Sequence, residues 1–248
     1  MKIAILSDIH SNVYALEAVL QDAKLRGCTS LANLGDILYG PISPRDTYDL
    51  LLDNKFLTIS GNQDRQIYQS TAAEISSNPT MQFILDDLGD EPLAWMRSLP
   101  FDMQVNADLY FCHGTPTNDL VYLLEDVSSG SAQLRSDDEI HQLLAGQRSK
   151  LICCGHTHIP RLVTLSSGSL VLNPGSVGLQ AYTDDQPVVH SMENYSDRAS
   201  YAIAEIQNGE WLIDHIRVPY DVASAVEKCL SRGREDWAHF LTTGRRVA

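Results

Sequence analysis

The sequence predicts an α/β protein whose early strands each end at a chemically active residue. Two patterns carry this. In the first part of the chain, short apolar runs alternate with segments of helical periodicity, and each run stops at a Gly, Asp, Asn or His. In the second half, short β-like runs are separated by clusters of Ser, Gly and Asn, which adds an α+β character.

Residues 2–7 form a short apolar run that reads as a buried strand. In 13–26, Val13, Leu16, Val19, Leu20 and Ala23 recur at helical spacing, with Asn12 as N-cap and Gly27 as the stop. A second strand at 31–34 runs into Gly35-Asp36, a helix follows at 44–54, and a third strand at 56–59 runs into Gly61-Asn62. Later strands are expected at 105–112, 151–154, 161–165, 170–172, 201–206 and 211–218. Turns at 166–169 and 207–210 look like hairpin connections. Residues 221–243 read as helical. Segments 65–98 and 119–148 read as mainly helical, either a lid or rim over a site or padding on the sheets.

Bulk properties narrow the function. The 248 residues are 44% hydrophobic and 20% charged, an ordinary globular composition. The formal net charge of −14 argues against duplex nucleic acid and anionic membrane partners. It leaves a small phosphorylated substrate open, because bound cations would invert the local field. No apolar run approaches the ~20 residues of a membrane span, and the start has no signal-peptide pattern, so the expected address is the cytoplasm. The cysteines (28, 112, 153, 154 and 229) show no C-x-x-C spacing, and Cys153 and Cys154 are expected to be buried strand thiols. The sequence leaves the oligomeric state open.

Five short pieces hold most of the metal-binding chemistry: Asp8-Ile9-His10, Gly35-Asp36, Gly61-Asn62-Gln63-Asp64, His113-Gly114 and Gly155-His156-Thr157-His158. Each alone has an ordinary reading, as a turn aspartate, a capping asparagine or a core histidine. Asp8 and His10, like His156 and His158, stand two apart, which on an extended strand end puts both on one side. Together the pieces offer seven hard or borderline ligands: Asp8, His10, Asp36, Asn62, His113, His156 and His158.

In order and content the set resembles the calcineurin-like metallophosphoesterases, in particular a prokaryotic branch described as diadenosine-tetraphosphatase-like. The likeness extends to Ser7 and Ser11-Asn12 around the first piece, Tyr39-Gly40-Pro41, Asn173-Pro174-Gly175-Ser176-Val177 and Arg217-Val218-Pro219-Tyr220-Asp221. It implies a four-layer αββα sandwich of two mixed β-sheets flanked by helices, in one domain over 1–248. It also implies two divalent metal ions, with Mn²⁺ the leading expectation and Fe, Ni, Co or Zn as alternatives. Asp8, His10 and His158 would hold one ion; Asn62, His113 and His156 the other; Asp36 would bridge them. A hydroxide between the metals would then attack phosphorus.

The chain departs from the family at one place. Where the family has Gly-Asn-His followed by an acid, Gln63 replaces the histidine and Asp64 is retained. Glutamine can donate a hydrogen bond but cannot transfer a proton near neutral pH. With Asn62, Gln63 and Asp64 as the expected catalytic group, the change favours leaving groups that depart unprotonated. That suggests a phosphodiesterase or dinucleoside-polyphosphate-type hydrolase rather than a phosphomonoesterase. The alternative is a metal-keeping scaffold without catalysis, like the retromer subunit that shares this fold. His190 is a candidate substitute acid, against the plainer reading of a surface histidine. Asn62, Tyr39, Tyr182 and Arg198 are candidate substrate contacts, an aromatic for a base and an arginine for phosphate.

Overall fold

A computed structural model describes residues 1–247. The first part alternates as expected: β1 (Lys2–Leu6), α1 (Val13–Leu25), β2 (Ser30–Asn33), α2 (Pro44–Leu52) and β3 (Phe56–Thr58). Asn12 caps α1, its side chain accepting from the Ala15 amide at 3.1 Å. Four helices follow: α3 (Asn62–Gln69), α4 (Ala72–Ser77), α5 (Pro79–Leu88) and α6 (Asp90–Ser98). Next come β4 (Asp102–Asn106), β5 (Leu109–Cys112), β6 (Glu125–Asp126), β7 (Gln133–Leu134), α7 (Asp137–Leu143), β8 (Leu151–Cys153), β9 (Arg161–Thr164) and β10 (Leu170–Asn173). The chain continues through β11 (Ala181–Asp184), β12 (His190–Glu193), β13 (Ala199–Gln207), β14 (Glu210–Val218), α8 (Val222–Ser231) and α9 (Glu235–Thr243).

Three expectations are corrected. The run at 105–112 is not one strand: the Asn106 side chain accepts from the Asp108 amide at 2.9 Å, a tight turn that makes β4 and β5 a hairpin. Segment 119–148 is not mainly helical. A turn closed by Gly130 N–H to the Val127 carbonyl at 2.8 Å pairs β6 with β7, leaving only α7 as helix. The helical stretch 221–243 breaks at Gly233, whose φ of 68° continues no right-handed helix.

The strands form two five-stranded sheets, ordered β14-β13-β1-β2-β3 and β4-β5-β8-β10-β9. In the first, β1, β2 and β3 run parallel; in the second, β5, β8 and β10 do. Antiparallel strands border the first trio on its β1 side and the second trio on both sides. Side-chain alternation sorts the core. Ile3 and Ile5 face the second sheet's Phe111, Leu151 and Cys153. Ala4 and Leu6 face away, against Leu16 and Val19 of α1 and Ile84 of α5. On the far side, Ile152, Cys154 and Val171 pack on Ile140 and Leu144. The result is the four-layer αββα sandwich. Cys153 and Cys154 are both buried, and all five cysteines are free. No helix among the described residues is long and apolar enough to cross a membrane.

Candidate metal centre

The parallel strands of both sheets point their carboxyl ends at one place. There the loops after β1, β2, β3, β5 and β8 bring Asp8 and His10, Asp36, Asn62, His113, and His156 and His158 together, all buried. The paired ligands do not sit on extended strand, as the i, i+2 reading supposed. β1 ends at Leu6 and β8 at Cys153, and the ligands follow in left-handed backbone. Asp8, His10, Asp36, His156 and His158 have φ of 55°, 49°, 55°, 70° and 60°. Such residues cost about 1–3 kcal/mol each and persist where surroundings over-determine them. Here the Asp8 amide bonds to the Gly35 carbonyl and the His10 amide to the Asp36 carbonyl, both at 3.0 Å. Gly35 and Gly61 let these loops touch: a Cβ on Gly35 would overlap the Gly61 backbone, and one on Gly61 would overlap Asp36.

The ligands fall into two groups, Asp8 with His10 and His158, and Asp36 with His113 and His156. Within each, the potential ligand atoms lie within 4.8 Å of one another. The imidazoles are oriented by backbone. Nδ1 of His10, His113 and His158 lies 3.1, 2.8 and 2.7 Å from the carbonyls of Tyr39, Leu34 and Leu179. A carbonyl only accepts, so Nδ1 carries the proton and Nε2 presents a lone pair. Those lone pairs meet other acceptors. His10 Nε2 lies 3.1 Å from His158 Nε2, and His113 Nε2 lies 3.0 Å from Asn62 Oδ1. Asp8 Oδ1 is buried without a hydrogen-bond partner. Acceptor facing acceptor in a buried site is repulsive unless a cation lies between. The donor set therefore fits two divalent ions, with Asn62 joining the second group.

Charge balance agrees. Burial, helped by His158, lowers His10 to about 4, and burial, helped by His113, lowers His156 to about 4, so both are neutral and ready to ligate. Burial would also lower His113, but the Asp36 carboxylate beside it carries it up to about 10, so without a bound ion a second proton on Nε2 takes the place between the acceptors that a metal cation would fill. Burial opposes ionisation of Asp36 too, yet the His113 charge holds it well below the usual carboxylate range. These carboxylates draw positive charge to the site.

The centre opens into a cavity of about 430 Å³ lined by His10, Asp36, Asn62, Gln63, His156 and His158. A model of the calcineurin-like phosphoesterase superfamily domain matches residues 1–209. The chain belongs to this superfamily. It is 29% identical over 246 residues to an uncharacterized protein of Methanocaldococcus jannaschii, covering 95% of this chain and 94% of that protein. A crystal structure of a metallophosphoesterase from Sphaerobacter thermophilus aligns with a TM-score of 0.76 at 24% identity, covering 99% and 100% of the two chains. A structure described as a candidate diadenosine tetraphosphatase aligns at a TM-score of 0.53 and 14% identity, covering 88% and 94%. These two likenesses are of fold.

In this calcineurin-like domain the remaining expected residues separate. Gln63 lines the cavity; its amide binds Asp36 Oδ1 at 2.8 Å and its side-chain Oε1 is buried without a partner. Asp64 does not reach the cavity. Its carboxylate accepts from the amides of Asp36, Ile37, Leu38 and Gly61 at 2.8–3.4 Å, tying the second and third loops together. Burial and the neighbouring Asp36 charge push Asp64 up to about 7, against amide donors that favour its ionised form. Tyr39 and Tyr182 line the cavity. Arg198 does not: it pairs with Asp197 at 3.3 Å and borders a separate depression with Tyr220. His190 is neither at the surface nor in the cavity. It is 2% exposed and both ring nitrogens are bonded, one to Val188 and one to Tyr122, so it is no substitute acid.

The phosphoesterase's outer wall comes from β11 and α9, through Thr183, Asp184, Arg234, Asp236, Trp237 and Phe240. No residue of 65–98 or 119–148 lines the cavity. Arg234 is fixed by two bonds to Asp236, at 2.9 and 2.7 Å, and one to Thr80 at 2.7 Å. Trp237 meets His10 edge-on, with ring centroids 5.8 Å apart. The α9 contribution lies beyond the residues that the family model matches, and the sequence reading missed it. Its only local signal is an ordinary amphipathic helix.

Proposed function

We propose that the chain is a metal-dependent phosphodiesterase or dinucleoside-polyphosphate-type hydrolase. It would act on a small phosphorylated substrate, nucleotide-like, with Mn²⁺ as the leading metal. The five free thiols fit a cytoplasmic setting. The whole chain acts as one domain on this reading, because the cavity draws on residues from His10 to Val247. Asp8, His10 and His158 would hold one ion; Asn62, His113 and His156 the other; Asp36 would lie between them. When bound, the ions would acidify a water and offset charge on the phosphoryl oxygens.

The protein's own share is orientation. His10, His113 and His158 keep a proton on Nδ1 for a backbone carbonyl and leave Nε2 free to ligate. The observation that carries the choice of substrate is Gln63. Gln63 lines the cavity where the family has a histidine, and a glutamine side chain can donate to a phosphoryl oxygen without giving up a proton. Losing a positioned acid costs roughly 10²–10⁴-fold where the leaving group needs a proton. Nucleotide, pyrophosphate-like and aryl leaving groups depart as anions and escape that loss. The outer wall supports a substrate extending past its scissile phosphate, since it adds one guanidinium and aromatic surface from Trp237 and Phe240.

The test is turnover of bis-p-nitrophenyl phosphate beside p-nitrophenyl phosphate, using metal-stripped protein resupplied with Mn²⁺. Faster hydrolysis of the diester is expected. A faster monoester, or no turnover of either with metal bound, contradicts the proposal.

A further inference from the structure

The β11–β12 hairpin, absent from the sequence reading, carries a hydrogen-bonded chain that ends on the Gly-His-Thr-His loop. Tyr182 of β11 meets the His158 ring edge-on, centroids 4.6 Å apart, and its hydroxyl lies 2.9 Å from the His156 carbonyl. Tyr122, from the segment between β5 and β6, packs at a tilt against the His156 ring at the same centroid distance, 4.6 Å. The two hydroxyls are 2.9 Å apart. Beyond Tyr122 lies His190 of β12, its Nε2 2.9 Å from the Tyr122 hydroxyl and its Nδ1 2.7 Å from the Val188 carbonyl.

The direction of these bonds follows from the ends. Val188 offers only an acceptor, so His190 Nδ1 donates and Nε2 accepts from Tyr122. The Tyr122 oxygen then accepts from Tyr182, whose hydroxyl hydrogen also faces the His156 carbonyl. One tyrosine therefore packs on each histidine of the loop. Those histidines belong to different metal groups, and a hydroxyl contact joins the tyrosines.

We propose that Tyr122 and Tyr182, anchored by His190, are positioning residues that hold His156 and His158 in register, so that the two metal sites are set together. Two further observations support this. His156 and His158 have left-handed backbone, which needs outside restraint. Nδ1 of His10, His113 and His158 is bonded to a carbonyl, whereas the described contacts of His156 are its amide to Asp8 Oδ2 at 3.2 Å, its carbonyl to Tyr182 and its ring face, none through a ring nitrogen.

This inference rests on the metal-site reading above, and one titration separates the two. Mn²⁺ is titrated calorimetrically into metal-stripped wild type, Tyr122→Phe, Tyr182→Phe and the double variant, with the melting temperature of each apo form measured alongside. Tyr201→Phe serves as control, removing a hydroxyl bonded to Asp22 at 2.7 Å outside the site. Both single variants keep their rings. Each is expected to weaken Mn²⁺ binding about 10–100-fold, the usual effect of losing a group that orients ligands. The double variant should lose less than the product of the two, because one chain is cut twice. Unchanged affinity in both singles overturns the positioning role. So does a loss that Tyr201→Phe reproduces with an equal fall in melting temperature. Wild type that binds no Mn²⁺ overturns the metal-site reading and the clamp with it.

Discussion

The floor of the cavity consists of buried ligands on loops that leave parallel strands, whereas its outer wall is one amphipathic helix and one short hairpin. The floor is over-determined: five of its residues hold left-handed backbone, glycines let the loops touch, and Asp64 spends its carboxylate on four amides. The wall is looser, with Thr183 exposed and Asp184, Arg234 and Asp236 half-buried. It rests mainly on the packing of Trp237, Phe240 and Leu241 against Leu179 and Ala181. A rigid floor suits chemistry that tolerates little displacement, and a wall whose helical part lies outside the family-matched region suits substrate choice.

Substitutions should separate the two. Asp36→Asn removes charge from the centre of the floor. Since losing a group that merely orients a ligand costs about 10–100-fold, losing this one should lower kcat by more than about 10²-fold, measured with saturating Mn²⁺. Asp64→Ala should act on stability. Four buried amides lose their acceptor, at about 1–3 kcal/mol each before relaxation. A fall of about 3 kcal/mol, or roughly 6–12 °C in melting temperature, is expected. A variant that melts like wild type would mean that the loops are held by other contacts. Arg234→Ala in the wall should raise KM about tenfold and leave kcat nearly unchanged, the mark of binding that is equal in ground and transition states. A large loss of kcat instead would place Arg234 in the chemistry and erase the contrast. Arg198→Ala should change neither constant.

The contrast also explains what could be read from the sequence. The floor was legible because each ligand lies one to five residues past a strand end, within a local motif. The strand–helix alternation of the first part was legible because Val13, Leu16, Val19 and Ala23 repeat with a helix's period beside short apolar runs. The wall was not. Arg234 reaches the cavity only because α9 packs on β11, some 50 residues earlier in the chain. Nothing local distinguishes Arg234 from Arg198. Segment 119–148 misled because Tyr122, Leu123 and Leu124 look helical, although Ser128, Ser129 and Gly130 mark the turn between β6 and β7. The role assigned to Asp64 came from its place in a motif, whereas its geometry makes it a loop tie.

The most direct test compares aryl and alkyl phosphodiesters spanning a range of leaving-group pKa, with wild type and Gln63→His. Wild type should slow steeply as the leaving group becomes more basic. Gln63→His should flatten that dependence, with a gain of about 10²-fold on alkyl leaving groups and little change on aryl ones. Equal slopes in the two proteins, or similar wild-type rates on aryl and alkyl esters, would contradict the claim that Gln63 selects substrates whose leaving groups depart unprotonated.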